Sequence, residues 1–321
     1  MTTEVALSEL TAQSCPSCGG NDSAPCLQAP DRFHMRDITY QLVRCSDCSL
    51  VWLQDPPKPE QMSEHYGADY HKLITTSGEV DLSQRWRSQR QQVLKMLNKG
   101  ALLDVGCSSG AFLRSLKDTA IDLYGIEISP EEARRAELGS GARVFAGEIL
   151  NAKFSPGTFD IITCFHVLEH VHDVVRVLER LTEWLKPGGS LYILVPNIEA
   201  AEARIFGSHW YGLELPRHLY HFSPSSLSRL LRSVGLSEVV LRTLPDCYVE
   251  KSIRYLVDTM LVASGSPRPS LAASAAIRNI PWRVLRKAFR LGLLWPFRQM
   301  AASSGHGAAI EAIFQKPALT S

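Results

Sequence analysis

Between residues 101 and 245, strand-length apolar runs alternate with helix-length segments, and nothing else in the chain constrains its fold as strongly. Strands are expected at ALLDVG (101–106), DLYGIEI (122–128), RVFAGE (143–148), FDIITCF (159–165), SLYILVP (190–196) and SEVVLRTL (237–244). AAIEAIFQKP (308–317) supplies a seventh and last strand. Helices fill the gaps over 129–138, 173–185 and 223–234. Ser129, Asp173 and Ser223 stand where capping side chains belong, and Pro130 and Pro224 occupy the first helical position. Such alternation builds a doubly wound α/β fold, a parallel sheet with crossover helices on both faces.

The rest of the chain bounds the accessory parts. Its 321 residues suffice for one large core and a small module. Hydrophobic residues at 45% and charged ones at 21% exclude a disordered chain. A formal net charge of +1 gives no global field toward nucleic acid, so no nucleic-acid partner is expected. MTTEVALSEL lacks a secretory signal's basic start, and no run approaches the roughly 20 apolar residues of a membrane span. A cytoplasmic location is the expectation.

Four of the eight cysteines form two Cys-x-x-Cys pairs, Cys15–Cys18 and Cys45–Cys48, while Cys26, Cys107, Cys164 and Cys247 are scattered. Paired knuckles can hold four thiolates tetrahedrally around zinc. Gly19 and Gly20 allow the tight backbone this needs. A four-sulfur site leaves no coordination position open, so the zinc would be structural, in a module too small to rely on core burial alone. Two unrelated pairs of buried thiols are the alternative. The proline-rich DPPKPE then ends residues 1–55, and 56–100 form a linker with a helical lead-in from about Asp81 to Asn98.

LLDVGCSSG (102–110) is an apolar strand with an acid near its tip, followed by glycines that open a helix. Gly106 permits a sharp turn, and Gly110 is expected to let a ligand approach the backbone. In GIEIS (125–129), Glu127 ends the second strand, where an acid can accept hydrogen bonds from both ribose hydroxyls of a nucleoside cofactor. A nicotinamide dinucleotide is disfavoured, because the loop reads G-x-S-x-G and lacks the third glycine at the dinucleotide spacing.

With FDIITCFHVLEHV (159–171) and LKPGGSLYILVPN (185–197) in the same order, the chain resembles the class I S-adenosylmethionine (SAM)-dependent methyltransferases over about residues 90–245. The resemblance implies a Rossmann-like seven-stranded sheet, with residues 101–245 as the SAM-binding core. It places Asp104, Gly106, Cys107 and Gly110 around the methionine part of SAM, Glu127 on the ribose, and Glu148 and Ile149 at the adenine. Phe165 and His166 would lie near the sulfonium.

Methyl transfer usually requires removal of a proton from the acceptor, which suits histidine. HVLEH (166–170) is expected to open a helix, with His166, Glu169 and His170 on one face. It resembles the E-x-x-E-H stretch of ubiquinone-pathway O-methyltransferases, where a divalent ion can sit, but has His166 in place of the first acid. His170 is either a metal or catalytic group there, or lines the site. RHLYHFSPSSL (217–227), together with the cysteine pairs, resembles nucleotide-sugar C-methyltransferases and polysaccharide-locus methyltransferases. That resemblance makes His218 the base and puts Arg217 where the family has a glutamate. A structural His218 bonded to a loop carbonyl is the alternative. Arg217, His221 and, from HYGADYHK (65–72), Tyr70 are the candidate substrate contacts. His209, Trp210 and Tyr211 offer either a stacking surface or lid core.

Residues 246–307 form an insertion expected to be helical, before a last strand and tail at 308–321. Within it, Trp282, Leu285, Phe289 and Leu293 share one helical stripe, and Arg283, Arg286, Lys287 and Arg290 another. Such a helix over 281–298 either makes peripheral contact with anionic membrane or packs on the domain, and Pro296 should end or kink it. The expected activity is SAM-dependent methylation of a sugar, nucleotide-linked or in a glycan or glycolipid precursor, by a histidine base. The alternatives are a phenolic or natural-product O-methyltransferase, metal-assisted or not, and a non-catalytic SAM-fold scaffold with a zinc recruitment module.

Overall fold

A computed structural model describes residues 14–34, 38–66, 86–245, 248–264 and 295–318. β1 (Ser23–Pro30), β2 (Thr39–Cys45) and β3 (Val51–Leu53) form an antiparallel meander. Helix α1 (Arg87–Met96) leads into β4 (Lys99–Val105), α2 (Ala111–Leu116), β5 (Ala120–Glu127), α3 (Pro130–Ser140) and β6 (Arg143–Ala146). β7 (Phe159–Phe165), α4 (Val174–Trp184), β8 (Leu185–Pro196) and α5 (Ala201–Phe206) follow. A two-residue strand, β9 (Tyr220–His221), precedes α6 (Pro224–Ser233) and β10 (Ser237–Leu244). Helices α7 (Val249–Ala263) and α8 (Trp295–Ser303) come before β11 (Ala309–Gln315).

Local chemistry explains the helix starts. Ser129, Asp173 and Ser223 each accept a hydrogen bond from the backbone N–H three residues on, satisfying a donor that the helix leaves unpaired. Helix α4 buries Val174, Val177, Leu178 and Leu181, the stripe that helical periodicity aims at the sheet.

The seven strands lie in the order β10-β11-β8-β7-β4-β5-β6. β4 to β8 pair in parallel, as expected, but β11 runs antiparallel between β8 and β10. The insertion leaves from the carboxyl end of β10 and returns beside it, with Ala309 opposite both Leu244 and Pro196, so the returning strand must run backwards.

The second sheet has the order β1-β2-β3-β9. Its last strand, β9, comes from the segment between α5 and α6 of the core, with Val51 opposite His221 and Trp52 opposite Tyr220. Leu53 N–H also donates to the Leu219 carbonyl at 2.9 Å. One hydrophobic cluster therefore runs from Cys15, Leu42 and Trp52 through Leu219 and Phe222 to Val195 and Leu178. No described helix is long and apolar enough to cross a membrane. Tyr70, Cys247 and the basic stripe over 281–294 lie outside the described residues. Pro296 lies in α8, and the residues before Trp295 that it was expected to end or kink lie outside the described residues.

Candidate active site

The carboxyl edge of β4 and β5 forms the first half of the site. Asp104 is buried and accepts a hydrogen bond from Thr163 Oγ1 at 2.7 Å. Burial pushes its carboxyl up to about 7, against the Thr163 bond and with help from Glu127. Gly106 (φ 69°) makes the turn after β4. Glu127 is buried at the tip of β5, where its two oxygens accept the N–H groups of Ser108 and Ser129, each at 2.9 Å. This carboxylate therefore ties the glycine loop to the start of α3.

Gly110 has a packing role besides the one expected. A Cβ on it would lie 2.7 Å from the Ala136 backbone, so its missing side chain lets α2 close on α3. Cys107 is buried with Sγ against Gly125, and burial pushes its thiol up. Phe165 packs among Trp86, Phe112 and Tyr192. Glu148 is exposed, and a short turn, Ile149–Asn151, begins at half-buried Ile149.

The second half gathers after β7. HVLEH does not open a helix as expected, because His166 takes φ 58° and Leu168–His170 forms only a 3₁₀ turn. α4 starts at Val174. His166 Nδ1 nevertheless comes within 3.5 Å of Glu169 Oε1. Glu169 is buried, and neither of its oxygens has a hydrogen-bond partner. His170 Nδ1 lies 2.9 Å from Tyr66 Oη and 3.1 Å from the Arg217 carbonyl, and its ring meets that of His218 edge-on at 4.6 Å. The ligand atoms of Glu169, His170 and His218 all fall within 4.8 Å of one another.

His218 is buried with Nδ1 2.9 Å from the Gly212 carbonyl. That carbonyl can only accept, so Nδ1 carries the proton and Nε2 the lone pair. Burial, reinforced by His170, His221 and Arg217, holds the imidazole well below its ordinary range, so it is neutral. His221, on β9, is buried and pushed down to about 3, and its Nε2 has no hydrogen-bond partner. Arg217 is fully buried and faces the N-terminal sheet. Its guanidinium lies over Phe33 at 4.4 Å, with Nη1 3.4 Å from His34 Nδ1 and 3.9 Å from Asp31 Oδ1. Buried Asp31 accepts from the N–H groups of Phe33 and His34 and sits 3.0 Å from His34 Nδ1 and 3.8 Å from His65 Nδ1. Trp210 is buried, its indole N–H donating to Glu202, so it offers no stacking surface.

At the far end of the N-terminal sheet, the sulfurs of Cys15, Cys18, Cys45 and Cys48 lie within 4.8 Å of one another, Cys15–Cys48 at 3.5 Å and Cys18–Cys45 at 3.6 Å. A tetrahedron with metal–sulfur bonds of about 2.3 Å has edges of roughly 3.8 Å, so the set fits a zinc ion. The two knuckles share one backbone form, with Gly19 N–H bonded to the Cys15 carbonyl and Ser49 N–H to the Cys45 carbonyl. Gly19 and Ser49 both take positive φ.

A family model described as a methyltransferase domain matches residues 79–241, half of the chain. The chain belongs to that family. It is a SAM-dependent methyltransferase. A ubiquinone biosynthesis O-methyltransferase of Methylococcus capsulatus is 30% identical over 189 residues, which span 54% of this chain and 79% of the relative. Another, from Xanthomonas euvesicatoria pv. vesicatoria, is 33% identical over 148 residues, 42% of this chain and 62% of the relative. The solved SAM-dependent methyltransferase from Archaeoglobus fulgidus shares the fold, with a TM-score of 0.52 at 17% identity over 77% of this chain and 100% of that one.

The surroundings of His218 contain residues that were not named as site residues from the sequence. Asp31, His34, His65 and Tyr66 come from the N-terminal segment, and Glu214 precedes Arg217 by one turn. His65 and Tyr66 open the HYGADYHK motif that pointed to Tyr70. Asp31 and Glu214 had no such flag, since lone acids in loops are common.

Proposed function

We propose that this methyltransferase transfers a methyl group to a hydroxyl of a sugar, nucleotide-linked or within a glycan or glycolipid precursor, with His218 as the base. The state of His218 carries this reading: a buried, neutral imidazole with its proton fixed on Nδ1 and its lone pair on Nε2. Such a group can take the hydroxyl proton as the oxygen attacks carbon. His170, held through Nδ1 by Tyr66 and the Arg217 carbonyl, packs against the His218 ring and fixes its orientation. Burial of the cluster keeps water from competing with the acceptor. The cysteine pairs and the 217–227 segment, with their likeness to sugar methyltransferases, support a sugar over a phenol.

SAM, when bound, supplies a methyl group on a positively charged sulfur. Glu127 fits its ribose, because a carboxylate offers about four acceptor positions and two are taken by Ser108 and Ser129. Asp104, Gly106 and Cys107 would hold the methionine part, with Gly110 shaping the loop through its contact with α3. Glu148 and Ile149 would flank the adenine, and Phe165 and His166 the sulfur. Cys15, Cys18, Cys45 and Cys48 would hold a structural zinc that closes the N-terminal sheet.

A second reading, metal-assisted O-methylation of a phenolic or other small acceptor, is favoured by Glu169. Its two buried, unpartnered oxygens beside His170 and His218 form a set that a divalent ion would satisfy. The relatives named for ubiquinone biosynthesis favour it too. S-adenosylhomocysteine release with UDP-glucose and with protocatechuate as acceptor probes separates the two. Turnover with the nucleotide sugar, unaffected by a chelator, supports the sugar reading. Turnover with the catechol alone, lost on chelation while the cysteine-bound zinc stays, overturns it.

A further inference from the structure

His218 has a partner that the known motifs do not contain. Glu214 lies one turn upstream, and its carbonyl accepts the N–H groups of Arg217 and His218 at 2.9 and 3.2 Å. That turn brings Glu214 Oε2 to 3.7 Å from His218 Nε2, while Oε1 accepts from Arg217 Nε at 3.2 Å. Glu214 and His218 are both at least nine-tenths buried. The His218 proton is fixed on Nδ1 by the Gly212 carbonyl, so a lone pair and a carboxylate face each other. Two buried acceptors in that relation repel unless a proton enters between them. Glu214 holds this place at φ 39°, a left-handed backbone that non-glycine residues adopt rarely and that persists where the surroundings demand it.

Resting on the assignment of His218 as base, we propose that Glu214 is the carboxylate that receives the charge created at His218, and that Arg217, paired with Asp31 just after β1, positions it. The acceptor hydroxyl forms its new bond to the methyl carbon as the carbon–sulfur bond breaks, and the sulfonium becomes a neutral thioether. The hydroxyl proton passes to His218 Nε2, and the resulting imidazolium faces Glu214. Arg217 stays on the opposite oxygen, held by Asp31 Oδ1 at 3.9 Å and by stacking on Phe33. The acid absent from position 217 is thus supplied in space by position 214, and the N-terminal sheet becomes part of the acid–base machinery. The charged or titratable groups facing this pair are Glu169, His170 and Tyr66 from one side, His221 from β9, Arg217, and Tyr211 and Tyr255 behind Glu214.

The test uses the full chain and needs no known acceptor. Histidine ring resonances are followed by nitrogen-correlated NMR across pH, with His218 assigned by its disappearance in His218→Ala. The expected wild-type ring carries its proton on Nδ1. Glu214→Gln, nearly isosteric, should lower its proton affinity roughly tenfold, about one pH unit, because an opposite charge within about 4 Å has gone. Glu214→Asp should restore part of the shift, and Asp31→Asn should give a smaller one in the same direction. An unmoved midpoint in Glu214→Gln, or a ring protonated on Nε2, overturns the proposal. Normal turnover in His218→Ala, with whichever acceptor probe works, instead overturns the base assignment beneath it.

Discussion

The edge proposed for the cofactor and the edge proposed for the acceptor share one sheet but are built on different scales of the chain. Asp104, Gly106 and Glu127 belong to a single strand–helix–strand unit, and apart from the bond from Thr163 to Asp104 their contacts are local. The acceptor edge joins residues 31–34 and 65–66 to 166–170 and 212–221, and the β3–β9 pairing holds these segments together. A local site needs only its own turn and helix. A composite one inherits the stability of every segment it recruits, so lesions should reach it from far away and spare the other edge.

The largest expected effect comes from the most distant lesion. Elemental analysis should find about one zinc per chain, and Cys45→Ser should lose it. Because Cys45 ends β2, which pairs with β3 and through it with β9, turnover should fall to background while calorimetric SAM affinity stays within about twofold. Full turnover without zinc would break the comparison. Next in size, His218→Ala should cut kcat by roughly 10²–10⁴, again with SAM binding hardly moved. Loss of SAM affinity in that variant would mean the two edges are one site.

Glu127→Ala tests the other edge. Calorimetry should show SAM weakened by roughly 1.5–3 kcal/mol, the range for hydrogen bonds to a charged group, with the Ser108 and Ser129 N–H groups left unpaired. The histidine resonances of the acceptor edge should stay in place. The smallest effect is in pH, where the two edges have opposite signs. His221 is pushed from 6.5 to about 3, so its contribution is present above about pH 6.5 and lost as pH falls toward 3. Asp104 is raised from 3.8 to about 7, so its contribution is present at low pH and lost as pH rises toward 7. Each contributes a slope of about 1.4 kcal/mol per pH unit within its window. Urea midpoints should therefore show His221→Gln gaining on the wild type at pH 5 and Asp104→Asn gaining at pH 7.5. Equal pH dependence in all three proteins would mean that neither group titrates as described.

The same contrast governs what the sequence disclosed. Strand β7 was readable to the residue, because a buried parallel strand is a short apolar run bounded by turn residues. The glycine loop and Glu127 were readable as a spacing. The packing role of Gly110 was not readable, since a contact with Ala136 two elements away leaves no mark on the loop itself. HVLEH kept helical spacing without forming a helix, because the chain leaves β7 through a left-handed His166. The antiparallel course of β11 follows from where the insertion returns, which strand propensity does not encode. Asp31, His34 and Glu214 were invisible for a simpler reason: each acquires its role from a residue more than a hundred positions away or from one tight turn.

The β3–β9 pairing also orders events during synthesis. A chain emerging from its N-terminus completes β1 to β3 some 170 residues before His221 appears. Through that interval Val51–Leu53 is an open strand edge carrying Val51 and Trp52, a template for another unfinished copy. Tyr220 and His221 are thus the late cover on an early edge. Chains truncated before residue 220 are set to clump through β3 rather than yield a free N-terminal module.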